Sequence, residues 1–283
     1  MQDSPDVSLP HVAILGAGSM GGAILAGLTA PGVSVDSGIA VTTRSRSSAE
    51  RVTADGVTVL TTDDDADANR AAVRGAKVVV LAVKPVGIAA LASEIADALD
   101  SDAIVVSVAA GIPTSRIEAE LPAGTAVVRA MPNTPATIGL GVTGLSAGSA
   151  VEPGALELVE RVFSTMGAVH VIDEDRQDAL TSVSGSGPAY VFYFIEQLAA
   201  AARARGLDPE LADALARETV HGAAALAASS DLDAAELRRR VTSPNGTTER
   251  GVAVLEARDL ASTLDAATAA AAARSAEITA SLS

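Results

Sequence analysis

Between residues 11 and 172 of this 283-residue chain, short β-branched runs alternate with longer alanine-rich stretches. The runs are HVAILG (11–16), IAVTT (39–43), VTVL (57–60), KVVVLAV (77–83), AIVVSVA (103–109), TAVVRA (125–130) and AVHVI (168–172). Such near-continuous apolar runs suit strands covered on both faces, with the intervening helices as crossovers. That rhythm predicts a doubly wound α/β domain around a parallel sheet. After Asp173 the strand signal stops. Helices are expected over 188–205, 209–228, 234–240 and 247–257, and from about residue 260 to the end. The expected organisation is a Rossmann-type sheet domain over 1–170 and an all-helical domain over 171–283, divided near the polar stretch DEDRQD.

Composition changes this picture in a few places. Apolar residues make up 48% of the chain but aromatics only 2%, so the core must be Val, Leu, Ile and Ala. No apolar run approaches the roughly 18 residues that span a bilayer. The segment MQDSPDVSLP has neither the basic start nor the apolar stretch of a signal peptide. There is no cysteine for a disulfide or thiolate metal site, and His11, His170 and His221 are too scattered to suggest a metal. A soluble, cytoplasmic protein without a membrane partner is expected. The net charge of −15 opposes nucleic acid, whose phosphates it would repel. Asp63, Asp64 and Asp65 form the one tight acidic cluster; with no EF-hand spacing around it, it reads as solvated surface.

The segment HVAILGAGSMGGAILAGL places Gly16, Gly18 and Gly21 as G-x-G-x-x-G between a predicted strand and a predicted helix. In that context the motif binds a dinucleotide. Gly16 makes the turn, Gly18 admits the pyrophosphate and Gly21 lets helix and strand approach, with the phosphates at the helix start. An NAD-preferring site usually carries an acid about 20 residues further on. Here the second strand runs out into Thr43, Arg44, Ser45 and Arg46, with no carboxylate before Glu50. Arginines and hydroxyls suit a 2′-phosphate, so NADPH is expected, with NADH as a possible substitute. Ala82, Val83, Lys84 and Pro85 end another strand, and Met131-Pro132-Asn133-Thr134-Pro135 follows a later one. Both should face the same crevice beyond the strand ends.

The helical half adds two loops at helix starts. Ser184-Gly185-Ser186-Gly187 leads into Pro188, and Ser243-Pro244-Asn245-Gly246-Thr247-Thr248 leads into GVAVLEAR. Free N–H groups and hydroxyls at such starts can hold an anion, and a small carboxylate would suit the second loop.

In order along the chain, ILGAGSMGGAI, LAVKP, RAMPNTPA, SGSGPAYVF and VTSPNGTTERGVAVLE resemble the Δ1-pyrroline-5-carboxylate reductases over nearly the whole length. The resemblance implies NAD(P)H-dependent reduction of a small cyclic imine carboxylate. It also implies an N-terminal Rossmann domain and a C-terminal helical domain that forms a homodimer, with larger assemblies of dimers in some members. Carried across, Leu15, Gly16, Ala17, Gly18, Ser19 and Met20 would bind cofactor, with Ala82, Val83, Lys84 and Pro85; the glycine motif adds Gly21 and the loop after the later strand adds Asn133. Ser243, Gly246, Thr247 and Thr248 would hold substrate, and Thr248, the catalytic residue, would bond the ring nitrogen. Asn245 departs from the family, which usually has glycine there; Asn tolerates a left-handed backbone better than most residues.

A protonated imine carries its own positive charge, so hydride attack at its carbon yields a neutral amine with no buried acid required. The apolar surface of 188–205, with Tyr190, Val191, Phe192, Phe194, Ile195 and Leu198, is wider than one stripe and calls for a covering subunit. Three alternatives compete. A β-hydroxyacid dehydrogenase would need a lysine in the helical half, where none follows Lys84. A reductase of a different cyclic imine and a non-catalytic NADPH-binding protein remain as the others.

Overall fold

A computed structural model describes residues 7–282, so most of MQDSPDVSLP, read above for a leader, lies outside the described residues. The described chain begins with β1 (Val7–Leu9), β2 (Val12–Leu15), α1 (Ser19–Leu28), β3 (Val33–Val35), β4 (Ile39–Thr43) and α2 (Arg46–Ala49). Next come β5 (Val57–Thr61), α3 (Ala68–Val73), β6 (Val78–Leu81), α4 (Ile88–Ile95), β7 (Ile104–Ser107) and α5 (Thr114–Glu118). They are followed by β8 (Ala126–Met131), β9 (Gly141–Ala147), α6 (Pro153–Ser164), β10 (Gly167–Val171) and α7 (Gln177–Leu180). A π-helical turn over Thr181–Gly185 leads to α8 (Gly187–Arg203), α9 (Pro209–Ala228), α10 (Ala234–Arg240), α11 (Thr247–Ala257) and α12 (Leu260–Leu282).

The main sheet has the order β10-β9-β8-β7-β6-β2-β4-β5. From β5 to β8 all neighbours are parallel, and counted within this sheet the six strands run 3-2-1-4-5-6, the dinucleotide-binding order. The chain reverses its winding between β2 and β6, which opens a crevice beyond their carboxyl ends. The sheet is not purely parallel as expected. Strand β9 runs antiparallel to β8, and β10, the predicted AVHVI, pairs parallel with β9 as an edge. β1 and β3 form a separate parallel pair that the sequence reading missed.

Alternation along each strand sorts the core onto two faces. Val12, Ile14, Val78, Val80, Ile104 and Val106 join Ile24 and Leu28 of α1 and Val162 and Phe163 of α6 on one side. Ala13, Leu15, Val79, Leu81 and Val105 join Ile88, Leu91 and Ile95 of α4 on the other. Both faces are dry, which is why these strands read as continuous apolar runs.

The chain divides into two compact units: the described residues up to Gly185 together with those from Ala271 on, and Ser186–Ala270. The expected boundary near 170 is not where the units part. DEDRQD is polar, but Gln177 is fully buried and donates to Ser146 Oγ at 2.8 Å. Glu174 accepts from Thr114 N–H and Oγ1, each at 2.8 Å, and stands 3.6 Å from the guanidinium of buried Arg129. The segment is therefore stitched to the sheet. The end of α12 likewise belongs to the first unit, where Ser275 Oγ donates to Asp178 at 2.6 Å and Ile278 lies against Gly111. Among the described residues, no helix is long and apolar enough to cross a membrane and no group of acids and histidines could hold a metal.

Candidate active site

The glycine crest sits between β2 and α1, at the central strand. Gly16 has φ +95°, and a Cβ there would fall 2.8 Å from Val83 Cγ1, so both backbone and space demand glycine. Buried Thr42 fixes the crest from β4: its carbonyl accepts the N–H groups of Gly16 at 3.2 Å and Ala17 at 3.0 Å, and its Oγ1 accepts Gly16 N–H at 3.2 Å. A Cβ on Gly21 would strike the Gly16 carbonyl, so α1 can start this close to the strand only without a side chain. Gly18 differs: a Cβ there meets nothing within 4 Å. It is the exposed N-cap of a helix with no side-chain cap, ahead of first-turn N–H groups that the helix itself leaves unpaired. A crest closed on its inner side and open on its outer side fits a pyrophosphate.

Around this crest the structure brings the other expected cofactor residues to the carboxyl end of the sheet. Ala82 N–H donates to Leu15 O at 2.8 Å, which sets Val83 against Gly16. Lys84 is exposed and precedes a 3₁₀ turn over Pro85–Gly87. Arg44, Ser45 and Arg46 leave β4 at the same end, both arginines exposed, with Ser45 Oγ 3.1 Å from Ser47 Oγ and 3.3 Å from Ser48 Oγ. Arg46 Nε donates to both carboxylate oxygens of Asp64, at 2.9 and 3.2 Å. That hydrogen bond, and then the carboxylate's charge, hold the Arg46 pKa above its ordinary value.

The buried Asn133 amide donates to Ser184 O at 3.0 Å and accepts from Val142 N–H at 2.9 Å, so the side chain ties β9 and the π-helical turn to this loop. Nothing local in the sequence marks the Thr42 clamp or the exposed apolar side chains Val86, Ile138 and Leu140 in the loops after β6 and β8.

In the second unit the structure brings Ser243, Gly246, Thr247 and Thr248 together at the start of α11. Gly246 N–H donates to Ser243 O at 3.0 Å, and a Cβ on Gly246 would fall 2.9 Å from that carbonyl. Asn245 takes the left-handed backbone its residue type allows, with φ +61°. Its N–H donates to Glu249 Oε2 at 2.9 Å, a reach-back from the third helical position that the sequence reading overlooked. The N-cap is Gly246, and no side chain caps α11. Neither threonine hydroxyl finds a partner among the described residues. Thr248 is thus not the helix cap.

The strand order and the crest define the class, a Rossmann-type dinucleotide-binding protein. The family described as NADP oxidoreductase coenzyme F420-dependent matches over residues 11–111, and the one described as Pyrroline-5-carboxylate reductase dimerisation matches over 174–278. A pyrroline-5-carboxylate reductase of Pseudomonas aeruginosa is 39% identical over 96% of this chain and 98% of its own length. The structure of a pyrroline-5-carboxylate reductase from Coxiella burnetii superposes with a TM-score of 0.88 at 38% identity, covering 95% of this chain and 98% of that one. A Plasmodium falciparum pyrroline carboxylate reductase with NADP bound superposes at 0.80, with 26% identity over 95% of this chain and 98% of that one. The chain belongs to the pyrroline-5-carboxylate reductase family.

Proposed function

We propose that this chain reduces Δ1-pyrroline-5-carboxylate to L-proline with NADPH, the last step of proline synthesis. The nicotinamide, when bound, supplies the hydride that adds to the imine carbon. The open crest at Gly18, braced by Thr42 and Val83, receives the pyrophosphate, and Arg44 and Arg46 receive the 2′-phosphate. Ser243 and Thr247 grip the substrate carboxylate through a hydroxyl and a free helix-start N–H, while Gly246, its own N–H held by Ser243 O, lets the loop close beneath the carboxylate. Thr248 Oγ1 bonds the ring nitrogen and fixes the carbon that is attacked. The nitrogen ends as a neutral amine, so no side chain has to deliver a proton during the addition, and positioning does most of the catalysis. The observation that carries this reading is the start of α11, where two threonine hydroxyls have no partner among the described residues.

The second unit forms a homodimer, either alone or within a larger assembly of dimers. α8 leaves Phe192, Tyr193 and Phe194 exposed, and among the described residues this unit buries only Ala199, Ala212 and Ala216 as apolar core. The assay that tests the function follows NADPH oxidation with pyrroline-5-carboxylate, alongside NADH and larger cyclic imines. Turnover strongest with NADPH and the five-membered ring is expected. Intact NADPH binding without turnover would return the chain to a binding role, and faster reduction of a larger ring would reassign the substrate.

A further inference from the structure

The acidic run after β5 is more than solvated surface. Thr62 N–H donates to Thr43 O at 2.9 Å and Asp63 N–H to Arg44 O at 3.0 Å, so the turn carrying these acids is stitched to the loop carrying the two arginines. The three carboxylates have different surroundings. Asp65 accepts the N–H of Asp67 at 2.9 Å, and Asp63 has no side-chain partner among the described residues. Asp64 alone turns to the arginines, with both oxygens on Arg46 Nε.

We propose that Asp64 is a cofactor-selectivity residue, a counter-charge on Arg46 that lowers the preference for a 2′-phosphorylated dinucleotide over its unphosphorylated counterpart. This rests on the reading that Arg44 and Arg46 receive the 2′-phosphate. A phosphate monoester brings between one and two further negative charges to a place where Asp64 already neutralises part of one arginine. It must share Arg46 with the carboxylate or displace it, and it is repelled by Asp64 in either case. A free ribose hydroxyl meets neither penalty. The pair is exposed, with 82% and 42% of the two side chains accessible, so the carboxylate tempers the preference without abolishing it. Opposed charges on two adjoining loops thus set a ratio of cofactors, where an arginine loop alone would give a stronger bias.

The test compares kcat/KM for NADPH and NADH in Asp64→Asn, Asp63→Asn, Arg46→Ala and the double variant Arg46→Ala/Asp64→Asn, at low and high salt. Asp64→Asn is expected to raise the NADPH to NADH ratio about three- to fivefold, the scale of an exposed ion pair, through KM for NADPH. The rise should shrink as salt screens the charges. Asp63→Asn removes the same charge one residue away but no ion pair, and should move the ratio less. In the Arg46→Ala background the Asp64→Asn effect should largely vanish. An unchanged or lowered ratio in Asp64→Asn overturns the proposal, as does an equal rise in Asp63→Asn or an undiminished effect without Arg46. Arg46→Ala by itself examines the underlying reading and should lower the ratio. If it does not, the 2′-phosphate assignment falls; if it does while Asp64→Asn is flat, only the selectivity role is lost.

Discussion

Phe163 and Phe194 both lie on helices, yet one is fully buried and the other is 51% exposed. The first sits on α6, pressed against a sheet whose strands reach both faces of the core. The second sits on α8, whose neighbour α9 meets it through alanines and leaves the aromatic face uncovered. The same kind of side chain closes a core within the chain in one unit and stays uncovered in the other, where Ala199, Ala212 and Ala216 are the buried apolar residues among the described ones. Covering that aromatic face is the role proposed for a second chain.

The largest effect that sharpens this contrast is Phe163→Ala. It should destabilise the protein by about 3–5 kcal/mol, read by denaturant unfolding, at every protein concentration alike. Phe192→Asp should act through assembly instead. It is expected to weaken dimerisation by roughly 2 kcal/mol or more, seen in light scattering as monomer at micromolar concentration. Stability of the parent should then rise with protein concentration, whereas that of Phe192→Asp should not. A parent that stays monomeric would end the contrast between the units.

Much of the helical unit is legible in sequence because its helix starts are local chemistry. Asp208 accepts the N–H of Glu210 at 2.9 Å, Asp233 that of Glu236 at 2.7 Å, and the helices begin one residue later, as expected. The crest is legible for the same reason: three glycines and their neighbours suffice. What escaped depends on distant partners. Strand β9, GVTGLSA, has two glycines and no continuous apolar run, and becomes a strand by pairing with β8. The polar residues near 174 read as the place where one domain gives way to the next, and only the fold sets Thr114 and Arg129 beside them. Asn133 stands in a motif that faces the cofactor crevice, and only the fold shows that Val142 and Ser184 hold its amide.

Smaller effects separate the two glycine-started helices. α1 packs against the sheet, whereas α11 is exposed, so its start depends on Glu249 holding Asn245. Glu249→Ala, which removes the acceptor, should lower stability by about 0.5–1 kcal/mol and raise KM for substrate as the loop loosens, measurable in melting temperature and steady-state rates.

The smallest effect is on pH. Asp102, hydrogen-bonded and then attracted by Lys77, and Glu236, hydrogen-bonded by Arg239 and Arg240, have pKa values below the ordinary carboxylate range. Depressed folded values mean that their contribution is present above the unfolded pKa, near 4, and lost as pH falls through the folded one. Stability should therefore decline below about pH 4, and Lys77→Met should soften that decline.

Thr248→Ala, with turnover and melting temperature read on one preparation, decides most directly whether the start of α11 is a catalytic site. The hydroxyl makes no bond among the described residues and the cap is Gly246, so alanine should leave the melting temperature unchanged or slightly raised. Turnover with pyrroline-5-carboxylate should fall about 10- to 100-fold at nearly constant NADPH affinity, and Thr248→Ser should restore much of it. A Thr248→Ala protein that is destabilised yet fully active would contradict the catalytic assignment.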